Sequence, residues 1–315
     1  MNISVIFTGG TIGSIKNSDG VISASDNTPP ILEEYLLKVA REHTLNFSSP
    51  LNMLSETANQ KKQNEIIKAC RIAAKKSDAV IVTHGTDTLG YTAALLDYAL
   101  YDIQVPVVLV SSGYVLTDPR ANGIRNLKDA ISFATNCHTG GVFVMWNGTA
   151  HRGTRVLPPE AFTDEVKSLM NTPFGIINNG SFEQIEAGYI RRNDFYPYAF
   201  ADEERRIVTV TPTPGLNYDA FTTDCDAYLH LSYHSGTTDT ENESFRRFCR
   251  RMKEADIPVF LHGSYPGAFY ETKKLYDELG VIILPVLSAS ACYEKLLICD
   301  FENISLPLSS DIYHI

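Results

Sequence analysis

A chain of 315 residues with 44% apolar residues can bury one large core or two unequal ones. Its 27 Lys and Arg against 37 Asp and Glu leave a net charge of −10, and no basic cluster is long enough to track a phosphate backbone, which argues against nucleic acid as a partner. No apolar run approaches the length of a membrane span and no basic, apolar leader precedes the first strand, so the expected setting is the cytoplasm, with no membrane involved.

β-Branched apolar runs alternate with helix-period stretches along the chain. Strands are expected from Ile3 to Phe7, Ala79 to Thr83, Val105 to Ser111 and Gly141 to Met145, with helices from Glu65 to Lys75, Ala93 to Tyr101 and Asn122 to Thr135 between them. Residues 190 to 220 break the rhythm with arginines, aromatics and prolines. Strands then return from Ala227 to Leu231, Pro258 to His262 and Val281 to Pro285, with helices from Glu243 to Ala255 and Glu271 to Leu279. The pattern predicts an α/β fold: a larger, mainly parallel amino-terminal domain over 1–195, a linker over 196–206, and a smaller α/β domain over 207–315.

Cys70, Cys137, Cys225, Cys249, Cys292 and Cys299 form no CxxC pair and have no histidine at metal-ligand spacing. They read as reduced structural thiols, with no metal site; three disulfides of an exported protein are the alternative.

Two strand ends carry chemistry. The first strand runs into FTGGTIGS at 7 to 14, where Gly9 and Gly10 permit a close backbone approach while Thr8 and Thr11 present hydroxyls. Neither GxGxxG spacing nor a Lys-Ser/Thr pair follows, so nucleotide-binding readings are weak, and a plain strand-to-turn transition is the bland one. The second strand end, VIVTHGTDTLGYT at 80 to 92, sets Thr83, His84, Thr86, Asp87 and Thr88 close together. Amide hydrolysis needs an activated hydroxyl, a carboxylate and backbone donors for an oxyanion; THGTDT supplies the first two, and its glycine helps expose the third. The bland alternative is a capping turn before a helix starting at Thr92.

Taken in order, TGGTIG and HGTDT resemble the paired signatures of the bacterial-type L-asparaginases, a family that also holds glutaminase-asparaginases and a component of a tRNA-dependent amidotransferase. SSGYVLTDPRANGIRN at 111 to 126, SYHSGT at 232 to 237 and SASACYEKLL at 288 to 297 extend the resemblance over nearly the whole chain. It implies a large and a small α/β domain, Thr11 as nucleophile, and Thr86 with Asp87 as second threonine and carboxylate. It further implies Ser55, Glu56, Asp87 and Ser112 as substrate contacts, no cofactor, and a homodimer or homotetramer in which SYHSGT and the Tyr270–Glu271 region meet a neighbour. His84 is expected to be structural and hydrogen-bonded, and His234 keeps an open role.

The resemblance fails at two places. Val21 stands where the family has a tyrosine on a mobile loop, and Pro158 where it has a lysine. A threonine hydroxyl needs a positioned base, a step worth about 10²–10⁴-fold. Lys16, His151 and Arg155 are the candidate substitutes, each against the plain reading of a solvated side chain. The expected function is hydrolysis of the side-chain amide of L-asparagine or a related small amide through Thr11. The alternatives are a divergent deamidase acting on a modified amino acid or small peptide, and a catalytically weakened amino-acid binder.

Overall fold

The computed structural model describes residues 1–24, 28–137, 139–159, 163–185, 197, 199–263 and 271–301. The chain divides into two compact units, Met1–Ile190 with Ala199–Ala201, and Asp202–His314 with Arg191–Tyr198. Residues 196 and 198 of the expected linker, and Tyr270, lie outside the described residues.

The first unit is built on one twisted sheet. Its elements in chain order are β1 (Asn2–Phe7), β2 (Ser14–Lys16), β3 (Ile22–Ala24), α1 (Pro30–Val39), β4 (Thr44–Ser48), α2 (Gln60–Ala74), β5 (Ala79–Thr83), α3 (Leu89–Ala99), β6 (Pro106–Val110), α4 (Gly123–Asn136), β7 (Gly141–Trp146), β8 (Thr149–Arg152), β9 (Gly175–Asn178) and β10 (Ser181–Gln184). Eight strands lie in the order β10-β9-β8-β7-β6-β5-β1-β4, and β2 pairs separately with β3. From β7 to β4 the strands are parallel; β8, β9 and β10 extend the sheet antiparallel. The central strands read as continuous apolar runs because helices cover both faces, and β5, β6 and β7 are buried at every residue. One face packs Ile3, Val5, Ile81 and Val108 against Leu32 and Leu36 of α1 and Leu127 and Ala130 of α4. On α2, Ile66, Ile67, Cys70 and Ala73 recur at helical spacing and are buried, and Asn59 caps its start by accepting from the Lys62 N–H at 3.0 Å.

The second unit carries β11 (Ile207–Val210), β12 (Ala227–His230), α5 (Glu243–Glu254), β13 (Val259–Leu261), α6 (Lys273–Leu279), β14 (Val281–Ile283) and α7 (Ala289–Ile298). Its four strands run parallel in the order β11-β12-β13-β14. Phe245, Phe248, Cys249 and Met252 form the buried stripe of α5, packed with Tyr218 and Tyr228. His234 is exposed in a turn closed by the Tyr233 N–H on the Thr237 carbonyl, 2.8 Å. The buried histidine of this unit is His230, whose Nε2 meets the Tyr218 hydroxyl at 2.7 Å.

The structure adds elements that the apolar pattern did not mark: α1, the edge strand β4, the β2–β3 hairpin and the antiparallel extension β8–β10. Helix α3 begins at Leu89, three residues before the expected Thr92, so Asp87 and Thr88 stand at its amino-terminal threshold. All six cysteines are buried and free, so the three-disulfide alternative is not realised. Among the described residues no helix is long and apolar enough to cross a membrane.

Candidate active site

Strand β1 is flanked by β4 on one side and β5 on the other, so the connection leaving β1 turns toward one flank and that leaving β5 toward the opposite one. Divergent connections leave a crevice outside the carboxyl ends of such a strand pair. TGGT and HGTDT both stand there.

The two loops are stitched together before they carry any chemistry. Thr8 donates its hydroxyl to the Thr83 carbonyl at 2.6 Å. The Met53 N–H then donates to the Thr8 carbonyl at 3.0 Å, and Gly10 N–H to the Met53 carbonyl at 2.9 Å. Gly10 adopts φ 77°, ψ 178°, a region that is essentially glycine's alone. A Cβ there would lie 2.3 Å from the Gly85 nitrogen, and one on Gly85 would lie 2.3 Å from Ser55 Oγ. The missing side chains therefore let the Gly10 and Gly85 backbones touch and let the Ser55 side chain seat against Gly85. Thr11 follows one contacting glycine and Thr86 the other, and both are half-buried.

Ser55 joins the same cluster from the chain after β4. Its Oγ donates to Asp87 Oδ2 at 2.8 Å and accepts from the Asp87 N–H at 3.2 Å, while Thr88 Oγ1 donates to the Ser55 carbonyl at 3.0 Å. Ser55 is buried, whereas Asp87 and Glu56 are exposed, so the carboxylates face solvent above a buried hydroxyl. His84 is fully buried; its Nδ1–H donates to the Gly85 carbonyl at 2.8 Å, and burial lowers its pKa. The ring is thus neutral and holds the backbone beside Thr86. Ser112, at the end of β6, is differently employed: its hydroxyl donates to the Tyr114 carbonyl at 2.5 Å and accepts from the Gly123 N–H at 3.1 Å, shaping its own loop.

Val21 lies 58% exposed at the tip of the β2–β3 hairpin, where Asn17 Oδ1 accepts from the N–H groups of Asp19 and Val21. Pro158 is exposed on a loop. Arg155, expected as an exposed arginine, is instead buried at 4% exposure, because the short helical turn at Gly153–Arg155 is held against α3, with the Thr154 N–H on Asp97 Oδ2 at 3.2 Å. His151 is buried on β8, bonded through Nδ1 to Ser168 Oγ at 2.7 Å, and desolvation pushes its pKa down to about 4. It is neutral at pH 7 and supplies no cation. The unfolded chain binds this proton near the ordinary value of 6.5 while the folded chain resists it to about 4. The His151 contribution to stability is therefore intact above pH 6.5 and falls by roughly 3 kcal/mol as pH drops through that window. Urea unfolding at pH 7 and pH 4.5 checks this: His151→Gln should show a smaller acid loss than the native chain.

The segment at 111 to 126, part of the resemblance, carries a further charged group. Arg120 makes two hydrogen bonds to Asp118, at 3.0 and 2.9 Å, and stacks 3.9 Å over the Tyr114 ring. Those bonds hold the Asp118 carboxyl down at about 2, and Lys16 on β2 adds a smaller pull. Asp164, from the loop carrying Pro158, accepts from the side-chain amides of Asn122 at 3.0 Å and Asn147 at 3.3 Å. These pairings span 17 and 42 residues, and only the Asn-Gly turn at Asn147 and Gly148 gave a local signal.

Comparison with known proteins gives this geometry a context. Residues 2–186 match the family described as Asparaginase, N-terminal. An L-asparaginase of Thermococcus kodakarensis is 29% identical over 228 residues, 69% of this chain and 65% of that protein, so the match spans just under two thirds of the relative's length. A component of the glutamyl-tRNA(Gln) amidotransferase of Pyrococcus abyssi is 30% identical over 94% of this chain and 71% of its own. The solved thermostable L-asparaginase from T. kodakarensis superposes with a TM-score of 0.83 at 25% identity, covering 99% of this chain and 98% of that one.

Proposed function

The chain belongs to the asparaginase family, and from that premise we propose that it hydrolyses the side-chain amide of L-asparagine, or of a closely related small amide, in the cytoplasm. The contact of the Gly10 and Gly85 backbones carries the reading, because Thr11 follows one of these glycines and Thr86 the other, and Ser55, whose side chain lies against Gly85, is bonded to Asp87. In this reading Thr11 Oγ1 attacks the carboxamide carbon, its proton leaves with ammonia, and water then releases the acid from the acyl-threonine. Asp87 and Glu56 hold the substrate's ammonium group, and Ser55 keeps the Asp87 carboxylate oriented. Backbone N–H groups at the two glycine turns are the natural donors for the developing oxyanion. The chain works in this reading as a homodimer or homotetramer.

The exposed Val21 and Pro158 favour a second reading. Without the family's tyrosine and lysine, the enzyme would act best on an amide whose own amine serves as base, such as a modified amino acid or small peptide. Ammonia release from asparagine, glutamine, asparaginyl peptides and N-substituted asparagines decides between the two. Preference for asparagine supports the first, preference for a peptide or substituted amide the second, and release from none of them defeats both.

Removing the Ser55 hydroxyl leaves Asp87 without its 2.8 Å donor. A hydrogen bond to a charged group is worth about 1.5–3 kcal/mol, so Ser55→Ala should lower kcat/KM by roughly 10- to 100-fold, mostly through KM. Steady-state kinetics on the preferred amide checks it.

A further inference from the structure

The groups at the carboxyl edge of the first sheet follow the order of its strands. Ser55 comes from the chain after β4, Thr11 follows β1, Thr86 and Asp87 follow β5, and the loop from 111 to 122 follows β6, which lies next to β5. That loop is closed at its base, where Asn122 Oδ1 accepts from the Gly113 N–H at 2.9 Å and Ser112 Oγ from the Gly123 N–H at 3.1 Å. Its tip is a tight turn. The Asp118 N–H donates to the Val115 carbonyl at 2.8 Å, and the Ala121 N–H to the Asp118 carbonyl at 2.9 Å.

Arg120 is held on this turn in one orientation. Asp118 takes the Nε and Nη2 edge of the guanidinium and accepts from the Arg120 backbone N–H at 2.9 Å, while the Tyr114 ring lies 3.9 Å away. A guanidinium carries five N–H donors in a fixed fork. Asp118 uses those on one edge, so the Nη1 side has no partner among the described residues, and the side chain is 65% exposed. That edge matches the two oxygens of a second carboxylate. Lys16, on β2 just beyond the Thr11 turn, lies near enough to pull on Asp118 and makes no ion pair of its own among the described residues. Two cations thus share one carboxylate, a local positive charge on a chain of net charge −10.

We propose that Arg120, with Lys16, binds a carboxylate carried on the amide nitrogen of the substrate, so that the chain cleaves β-aspartyl peptides, in which the side-chain carbonyl of aspartate is joined to the α-amine of another amino acid. The inference rests on the hydrolase reading above and names its substrate. Ammonium and carboxamide are opposite ends of the asparagine skeleton. With the first on the Ser55–Asp87 pair and the second at the two threonines, a substituent on the amide nitrogen continues away from that pair, toward the loop after β6. Thr11 Oγ1 adds to the carbonyl carbon, the C–N bond breaks, and the threonine proton ends on the departing amine. Water then cleaves the acyl-threonine, so the peptide and a water yield aspartate and the free amino acid. Arg120 meets only the carboxylate of the leaving residue, and it sets specificity.

Steady-state kinetics of the full chain on β-aspartylglycine, β-aspartylglycinamide and asparagine tests the proposal, with aspartate followed as the common product. The native chain should favour the acid over its amide by about 5- to 10-fold in kcat/KM, through KM. Arg120→Gln should erase that preference while the asparagine rate changes by less than about 2-fold, which also shows that the turn has folded. Arg120→Lys keeps the charge but loses the fork, and should retain part of the preference. Acid and amide cleaved equally by the native chain, a preference that survives Arg120→Gln, or turnover of asparagine with none of β-aspartylglycine would each overturn the subsite while the hydrolase reading stands. Aspartate from none of the three substrates would overturn both.

Discussion

Thr11→Ala is expected to lower the rate of ammonia release by on the order of 10⁴-fold or more, because losing the nucleophile removes the covalent route and leaves only binding and oxyanion donors. Thr11 follows Gly10 directly and its hydroxyl is no part of the hydrogen-bonded ladder that joins the loops: Thr8, Gly10 and Met53 carry that ladder. The variant should therefore fold and bind with nearly native affinity, so the loss falls on kcat. Isothermal titration with aspartate alongside the kinetics separates the steps. Equal turnover by native chain and variant removes Thr11 from the mechanism. Tight binding by both with no ammonia from either makes the protein an amino-acid binder.

Gly10→Ala should be among the most damaging single methyl groups in the first unit. The backbone at φ 77°, ψ 178° is nearly closed to alanine, and the new Cβ would fall 2.3 Å from the Gly85 nitrogen, against backbone that cannot swing aside. Strain of about 1–3 kcal/mol from the conformation adds to about 1–3 kcal/mol from overpacking. A combined loss of roughly 2–6 kcal/mol should move the first urea transition clearly to lower concentration. Relaxation of the clash parts the two loops, so activity should fall even where the variant stays folded. Gly13 is the control: it lies two residues past Thr11, yet a Cβ there meets nothing within 4 Å. Gly13→Ala should leave both stability and rate nearly unchanged; matching losses at the two positions would mean that the Gly10–Gly85 approach is not what organises the site.

The strands nearest the site were the most legible in the sequence. Ala79 to Thr83 is a strand over those five residues, since burial on both faces demands an unbroken apolar run. β4 was not legible for the opposite reason: an edge strand open to solvent needs no such run, and TLNFS looks like any polar connection. The β2–β3 hairpin hid similarly behind Lys, Asn, Ser and Asp. Helix α3 was read three residues late because the chemistry of HGTDT resembles a loop, whereas in the fold those residues lead straight into the first helical turn. At the site, motif order pointed to Thr11, Thr86 and Asp87, but the Ser55–Asp87 bond joins residues 32 apart, which local pattern does not encode. Arg155 shows the same limit, as nothing in HRGTR announces that the turn is pressed against α3.

A crystal structure of the chain with L-aspartate bound tests the meeting of the two threonines most directly. The side-chain carboxylate of aspartate is expected between Thr11 Oγ1 and Thr86 Oγ1, within about 3 Å of each, with its ammonium on Asp87. Aspartate bound elsewhere, or the two threonine hydroxyls opening into separate cavities, would contradict it.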